Sequence, residues 1–152
     1  MEKCDVKTDL LLFKIFHIYK VIGNKSNKRF SKEGMNIQVE QIPVLMVLFY
    51  EGPHSQQDIA DELERDKSSV LRTVASLVAA GFLKVQPDTV DKRKKLVNLT
   101  EAGQKLAKQL HEEIGLMDNM MFSNLSVAEK LILTELLDKC TEHINSMDLK
   151  FE

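Results

Sequence analysis

Apolar residues recur with two different periods along this chain, and the change of period marks its middle. Ile59, Ala60 and Leu63 fall on one face over two turns. Val70, Val74, Leu77 and Val78 make a second helical stripe. The spacing therefore predicts two short amphipathic helices in succession. Ser55, with Asp58 three residues on, is close to a capping box for the first. Asp66 is the expected N-cap of the second, where its oxygen can accept from the free N–H of Ser68 or Ser69. Gly81 stands where a C′ residue in the left-handed conformation belongs. The runs 82–86 and 95–99 are then short and β-prone, and they flank a polar stretch from Pro87 to Lys94. Two such runs about a polar turn predict a hairpin.

Helical patterns surround this middle. Residues 7–23 read as a helix starting near Thr8 or Asp9. Lys14, His17 and Lys20 form one polar stripe, and the remaining positions from Leu10 to Ile22 are almost all apolar. A helix apolar on most of its circumference is buried on more than one side, so one side is expected to meet a partner chain. The competing reading is the central helix of a monomeric bundle. Residues 24–36 are a polar, basic connection, or a continuation of the helix, ending at Gly34, in which Lys25, Lys28, Arg29 and Lys32 are either solvated or set against a phosphate backbone. Residues 39–50 predict a helix with Pro43 in its first turn and a core face of Ile42, Leu45, Met46 and Phe49, stopped by Gly52-Pro53.

Thr100 can cap a long helix from 101 to about 122, with Ala102, Leu106, Leu110 and Ile114 on one face. Ser126 with Glu129 is a capping box for a last helix to about 147. Its stripe is Leu133, Leu136, Leu137, Cys140, Ile144 and Met147. Long terminal helices without a private core point to pairing with the same helices of a second subunit.

The second helix of the middle has an unusual polar face. Lys67, Ser68, Ser69, Arg72, Thr73 and Ser76 carry short donors and cations, with no carboxylate after the cap. Such a face suits an anionic partner, since Arg can bond guanine twice and Ser or Thr can bond bases or phosphates. A plain solvated face is the alternative for the helix taken alone. The hairpin changes the balance, because Lys92-Arg93-Lys94-Lys95 places basic charge at or just after its tip. An exposed cationic tip can contact phosphates or enter a narrow minor groove.

These residues carry a resemblance. The chain is similar to the MarR family of bacterial transcription regulators through Ser55-Gln56, Ile59-Ala60, Leu63, Asp66-Lys67-Ser68-Ser69-Val70, Arg72, Val74, Leu77 and Gly81. The likeness continues through Asp88, Asp91, Arg93 and Leu99-Thr100-Glu101-Ala102-Gly103. There are two departures. Val85 and Gln86 stand where the family often has basic residues before the wing, and Gln38 stands where a Thr is common. The resemblance implies a mainly α fold with a small β-hairpin wing. Its winged helix-turn-helix core, about 37–100, would be flanked by dimerisation helices, about 6–33 and 101–148, in a single domain over 1–152. It implies a cytoplasmic homodimer that binds a double-stranded, pseudo-palindromic DNA operator, acts as a repressor and answers to a small aromatic or anionic effector.

The site residues expected on that reading are Ser55, Gln56, Gln57, Lys67, Ser68, Ser69, Arg72, Thr73, Lys92, Arg93 and Lys94. Arg72, Ser68 and Ser69 would reach base edges, and Arg93 the minor groove, steered by Asp91. Phe13, Phe16, Tyr19, Met117 and Met121 are candidates for an effector pocket, with plain core filling as the alternative. No cofactor or metal is implied.

Charge and composition change this picture little. The formal net charge is −2. The acid lies mostly in residues 101–152, with 10 Asp and Glu against 5 Lys and Arg, while residues 1–100 hold 16 Lys and Arg against 13 acids. Positive charge gathered on one face still permits DNA binding. The four histidines are scattered and no Gly-rich phosphate loop is present, so no catalytic constellation is expected. Cys4 and Cys140 fit no zinc or disulfide framework. Cys140 reads as an inert core thiol. Cys4, beside Lys3 and Lys7, is the candidate for a redox-sensing variant of the same function. The apolar run 10–22 is broken by charge and too short to span a bilayer, so no membrane partner is expected. A winged-helix module that binds protein rather than DNA is the rival class.

Overall fold

Leu11–Lys32 form one continuous helix, α1, in a computed structural model that describes residues 10–148. Any start nearer Thr8 or Asp9, and Cys4 with it, lies outside the described residues. The helix runs through the basic connection and closes on Gly34 at φ 73°. There the N–H groups of Met35 and Gly34 donate to Phe30 and Ser31 oxygens, the double closure that a left-handed glycine permits. A single 3-10 turn, Val39–Gln41, then leads into α2, Ile42–Glu51, with Pro43 in its first turn.

The hairpin follows two further helices. These are α3, Gln56–Glu62, and α4, Lys67–Ala79. Strands β1, Leu83–Pro87, and β2, Lys95–Leu99, pair antiparallel with Leu83 opposite Leu99 and Pro87 opposite Lys95. Helices α5, Glu101–Met121, and α6, Val127–Ser146, complete the order. The helices and the hairpin are those the residue pattern predicts, and the mainly α fold with a β-hairpin wing is the one the resemblance implies.

The described chain divides into two compact units, meeting in sequence at Glu112 and Glu113. In the first, Val44, Leu45, Ile59, Val70, Val74, Leu77, Leu83 and Val97 are buried to 2% exposure or less and make one core between α2, α3, α4 and the hairpin. The core face of α2 is rotated from the expected one. Val44, Leu45, Val47 and Leu48 are buried, while Ile42, Met46 and Phe49 are only partly covered. Packed elements cover more than one side of α2, so the most hydrophobic stripe in sequence is not the deepest one. Val78 is likewise 39% exposed rather than part of the α4 stripe, because Leu77 already fills the position that faces the core. On α5 the buried residues are Gly103, Leu106, Ala107 and Leu110; the expected Ala102 and Ile114 are exposed.

Large apolar side chains remain uncovered on the terminal helices. On α1, Leu12 is 75% and Phe16 62% exposed. Leu133, Leu136, Leu137, Ile144 and Met147 of the expected last stripe are all exposed, and Cys140 is an exposed free thiol rather than a core one. No helix of the described residues is long and apolar enough to cross a membrane.

The turn between α3 and α4 holds the one backbone strain among the described non-glycine residues. Glu64 sits at φ 48°, where the N–H groups of Glu64 and Arg65 close back on Asp61 and Ala60. This is the helix-ending closure that elsewhere in the chain uses glycine. A side chain in the left-handed region costs about 1–2 kcal/mol, partly offset by the freedom glycine brings to the unfolded chain. Glu64→Gly is therefore expected to stabilise the fold by about 0.5–1 kcal/mol. Thermal melting should show a rise of about 1–4 °C, and a fall would show that the Glu64 side chain contributes more than its backbone costs.

Candidate nucleic-acid interface

Three features set the rotation and polarity of α4. Asp66 accepts the Ser69 N–H at 2.8 Å and starts the helix. Val70, Val74 and Leu77 turn into the core. Gly81, at φ 82°, ends it, with Gly81 and Phe82 N–H groups closing on Val78 and Leu77 at 2.9 Å. At 100° per residue, Ser68 and Arg72 then lie on the ridge opposite the core, one turn apart. Lys67, Ser68 and Arg72 are exposed, and Ser69 and Thr73 are half-buried on one flank. The side chains of Lys67 and Arg72 pair with no described residue. No acid follows the cap in the first turn, so the positive end of the helix dipole keeps most of its attraction for an anion. Ser76 departs from the sequence reading. Its hydroxyl accepts the Gln41 amide at 3.1 Å and ties α4 to the start of α2.

Ahead of α4, the start of α3 is a complete capping box. The Ser55 hydroxyl donates to Asp58 Oδ2 at 2.6 Å and accepts the Asp58 N–H at 3.1 Å, and the Ser55 N–H donates to the same carboxylate at 3.2 Å. These hydrogen bonds, from the Ser55 side chain and then its backbone, hold the Asp58 carboxyl below its ordinary range, with smaller help from the charges of His54 and Lys94. A lowered carboxyl favours the fold fully above the ordinary range, and that contribution fades as pH falls through the lowered value. Ser55 is thus occupied by its own helix. Gln56 is half-buried, and Gln57 is exposed with its amide donating to Asp61 at 2.8 Å.

The wing is shaped by its two aspartates. Asp88 Oδ1 accepts the Val90 N–H and Asp91 Oδ1 accepts the Arg93 N–H, both at 3.1 Å. The Asp88 N–H donates to the Lys94 oxygen and the Lys94 N–H to the Asp91 oxygen, both at 2.9 Å. Asp91 therefore steers Arg93 through its backbone. Lys92, Arg93 and Lys94 are left exposed on a tight polar turn.

Sequence reasoning missed a third chain segment at the hairpin. His54 exchanges backbone hydrogen bonds with Val97 at 3.2 and 2.8 Å, and its ring lies 3.0 Å from the Gly52 oxygen and 3.3 Å from Glu51. The link sets the start of α3 directly on β2. A lone His between Pro53 and Ser55 gives no periodic signal from which to infer it. Arg65 is also structural, donating to the Glu40 oxygen at 3.0 Å.

The candidate pocket residues fall in both units. Phe13, Phe16 and Tyr19 are exposed on α1 in the first unit, and Met117 and Met121 are half-buried in the second. A cleft of about 200 Å³ within the second unit is lined by Phe122, Leu125, Leu133 and Leu137, with Asp118, Lys130 and Thr134. Among the described residues no group of His, Cys, Asp and Glu is arranged to hold a metal ion.

Comparison with known proteins adds to this geometry. Residues 37–95 match the MarR family model. The HTH-type transcriptional regulator BilQ of Clostridium symbiosum is 27% identical over 127 residues, which span 82% of this chain and 88% of BilQ. Among solved structures, Staphylococcus aureus MepR in its complex with DNA has a TM-score of 0.79 at 23% identity, covering 90% of this chain and 99% of MepR. Bordetella bronchiseptica BpsR, whose DNA binding is regulated by 6-hydroxynicotinic acid, has a TM-score of 0.77 at 23% identity, covering 89% and 95%.

Proposed function

We propose a function on the premise that this chain belongs to the MarR family of winged helix-turn-helix transcription regulators. It is a non-catalytic, DNA-binding regulator that acts in the cytoplasm as a homodimeric repressor. The observation that carries the reading is the exposed, carboxylate-free ridge of Ser68 and Arg72 beside Lys67, on a helix whose rotation is locked by its own core. The α4 helix of each subunit enters a major groove, with Arg72, Ser68 and Ser69 at base edges. Lys67, Thr73, Gln56 and Gln57 position the helix on phosphates, and Ser55 fixes the local backbone. Arg93 enters the minor groove, and Lys92 and Lys94 lie on the backbone.

Two-fold pairing requires a pseudo-palindromic operator with half-sites about 10 base pairs, or a multiple, apart. Uncovered apolar side chains on α1 and α6 supply the surface for that pairing. An effector, small and aromatic or anionic like the one acting on BpsR, changes the separation of the two α4 helices.

Titrating labelled duplex from upstream of the chain's own gene at two salt concentrations tests the reading. Binding should weaken steeply between about 50 and 200 mM salt, and the protein should have the mass of a dimer. A salt-independent shift, or none, would instead favour a winged-helix module that binds protein. So would DNA binding that tolerates reversal of the charges at Arg72 and Arg93.

A further inference from the structure

Leu71 on α4 is 49% exposed, although the Val70, Val74 and Leu77 stripe already fills the core side. Ala75, one turn on, is also exposed. Together they place two apolar surfaces along one side of the polar ridge of Ser68 and Arg72. Lone exposed apolar residues are ordinary on a protein surface. These two lie on the surface that, under the function proposed above, is pressed into a major groove and stripped of water.

We infer that Leu71 and Ala75 determine specificity by packing on thymine methyl groups beside the base pair read by Arg72. The inference rests on that proposed function. In the major groove the C5-methyl of thymine is the one apolar group that projects from a base edge; cytosine carries only a C5–H at that place, and the N and O positions offer donors or acceptors. An apolar side chain gains packing on the methyl, gains less on a bare C5–H, and leaves a donor or acceptor unpaired where it meets one, which disfavours pairs that lack a methyl there. Leu71 precedes Arg72 directly, and Leu71 and Ala75 are separated by about 6 Å along the helix, less than two base-pair steps of about 3.4 Å. The methyls they meet therefore lie within two base-pair steps of each other in one half-site. Val78 continues the exposed apolar line but lies two turns beyond Leu71, near the end of the helix. The residues of a recognition helix that reach base edges are those toward its start, so Val78 takes no part.

Removing the methyl alone tests this. Duplexes are first selected by the wild-type protein from a random pool. Each thymine of the selected half-site is then replaced by deoxyuridine, which keeps all hydrogen-bonding groups. Replacement at one position, or at two within two steps of each other, should weaken wild-type binding about fourfold each, equivalent to about 0.8 kcal/mol for one buried methyl group. The same replacement should change binding by Leu71→Ala less than twofold at the position Leu71 covers. A repeat selection with Leu71→Asn should lose the thymine there and keep the guanine read by Arg72. If a duplex is selected and depends on Arg72, yet no deoxyuridine affects the wild-type protein, the methyl contact is wrong and the proposed function stands. If no duplex is enriched at all, both fall.

Discussion

Arg72→Ala should weaken binding to the selected operator by about 1–3 kcal/mol, or about 5- to 160-fold, and should relax sequence preference at one position of each half-site. The size follows from geometry. The guanidinium is exposed on the outermost line of α4 and pairs with no described residue, so it can make two parallel hydrogen bonds without first breaking any. Lys94→Ala should behave differently. Lys94 is exposed at the base of the wing turn, and its ammonium is a point charge with no fixed fork. Its loss should weaken all duplexes alike and lower the slope of log K against log salt by about one phosphate contact. Measuring both variants on the selected and on a scrambled duplex, at several salt concentrations, separates the roles. Equal loss on both duplexes for both variants would mean that α4 and the wing do not divide base and backbone contacts.

Gly103→Ala should destabilise the fold by about 2–3 kcal/mol, the largest single-substitution effect on stability expected here. A Cβ at Gly103 would collide with the backbone carbonyl oxygen of Phe82 and press on Leu99. The Leu99 methyl is a side-chain end that can give way, but the Phe82 carbonyl is backbone and cannot swing aside. The same junction is fastened by three hydrogen bonds. The Thr100 hydroxyl donates to the Gly81 oxygen at 2.6 Å and accepts the Gly103 N–H at 3.0 Å, and the Thr100 N–H donates to Phe82 at 3.0 Å. An alanine must therefore lift the start of α5 from the end of α4, stretching bonds worth about 1 kcal/mol each. The expected fall in melting temperature is about 4–12 °C. Gly115, in the same helix, has nothing within 4 Å of a Cβ position and is the control. Gly115→Ala should be neutral or stabilising by up to about 1 kcal/mol. A Gly103→Ala variant as stable as the wild type would mean that α5 is not held against Phe82 as described.

The caps at Ser55, Asp66 and Ser126, the glycine stops at Gly34 and Gly81, and the strand pair about a polar turn were legible in the chain. Each depends on a few neighbouring residues and on backbone groups that must be satisfied locally. The polar face of α4 was legible for the same reason, since a helix fixes which residues share a side. Tertiary packing decided which apolar stripe went deepest. It turned α2 to bury Val44 and Val47 rather than Met46 and Phe49, left Val78 and Cys140 exposed, and drew Ser76 into a bond with Gln41. It also gave the glycine of the L-T-x-x-G run its reason, in the close approach of Phe82, and joined His54 to β2. Periodicity counts the apolar residues on a helix face but not the neighbours that meet it. Contacts between residues far apart in the chain leave no local pattern, so only the folded arrangement reveals them.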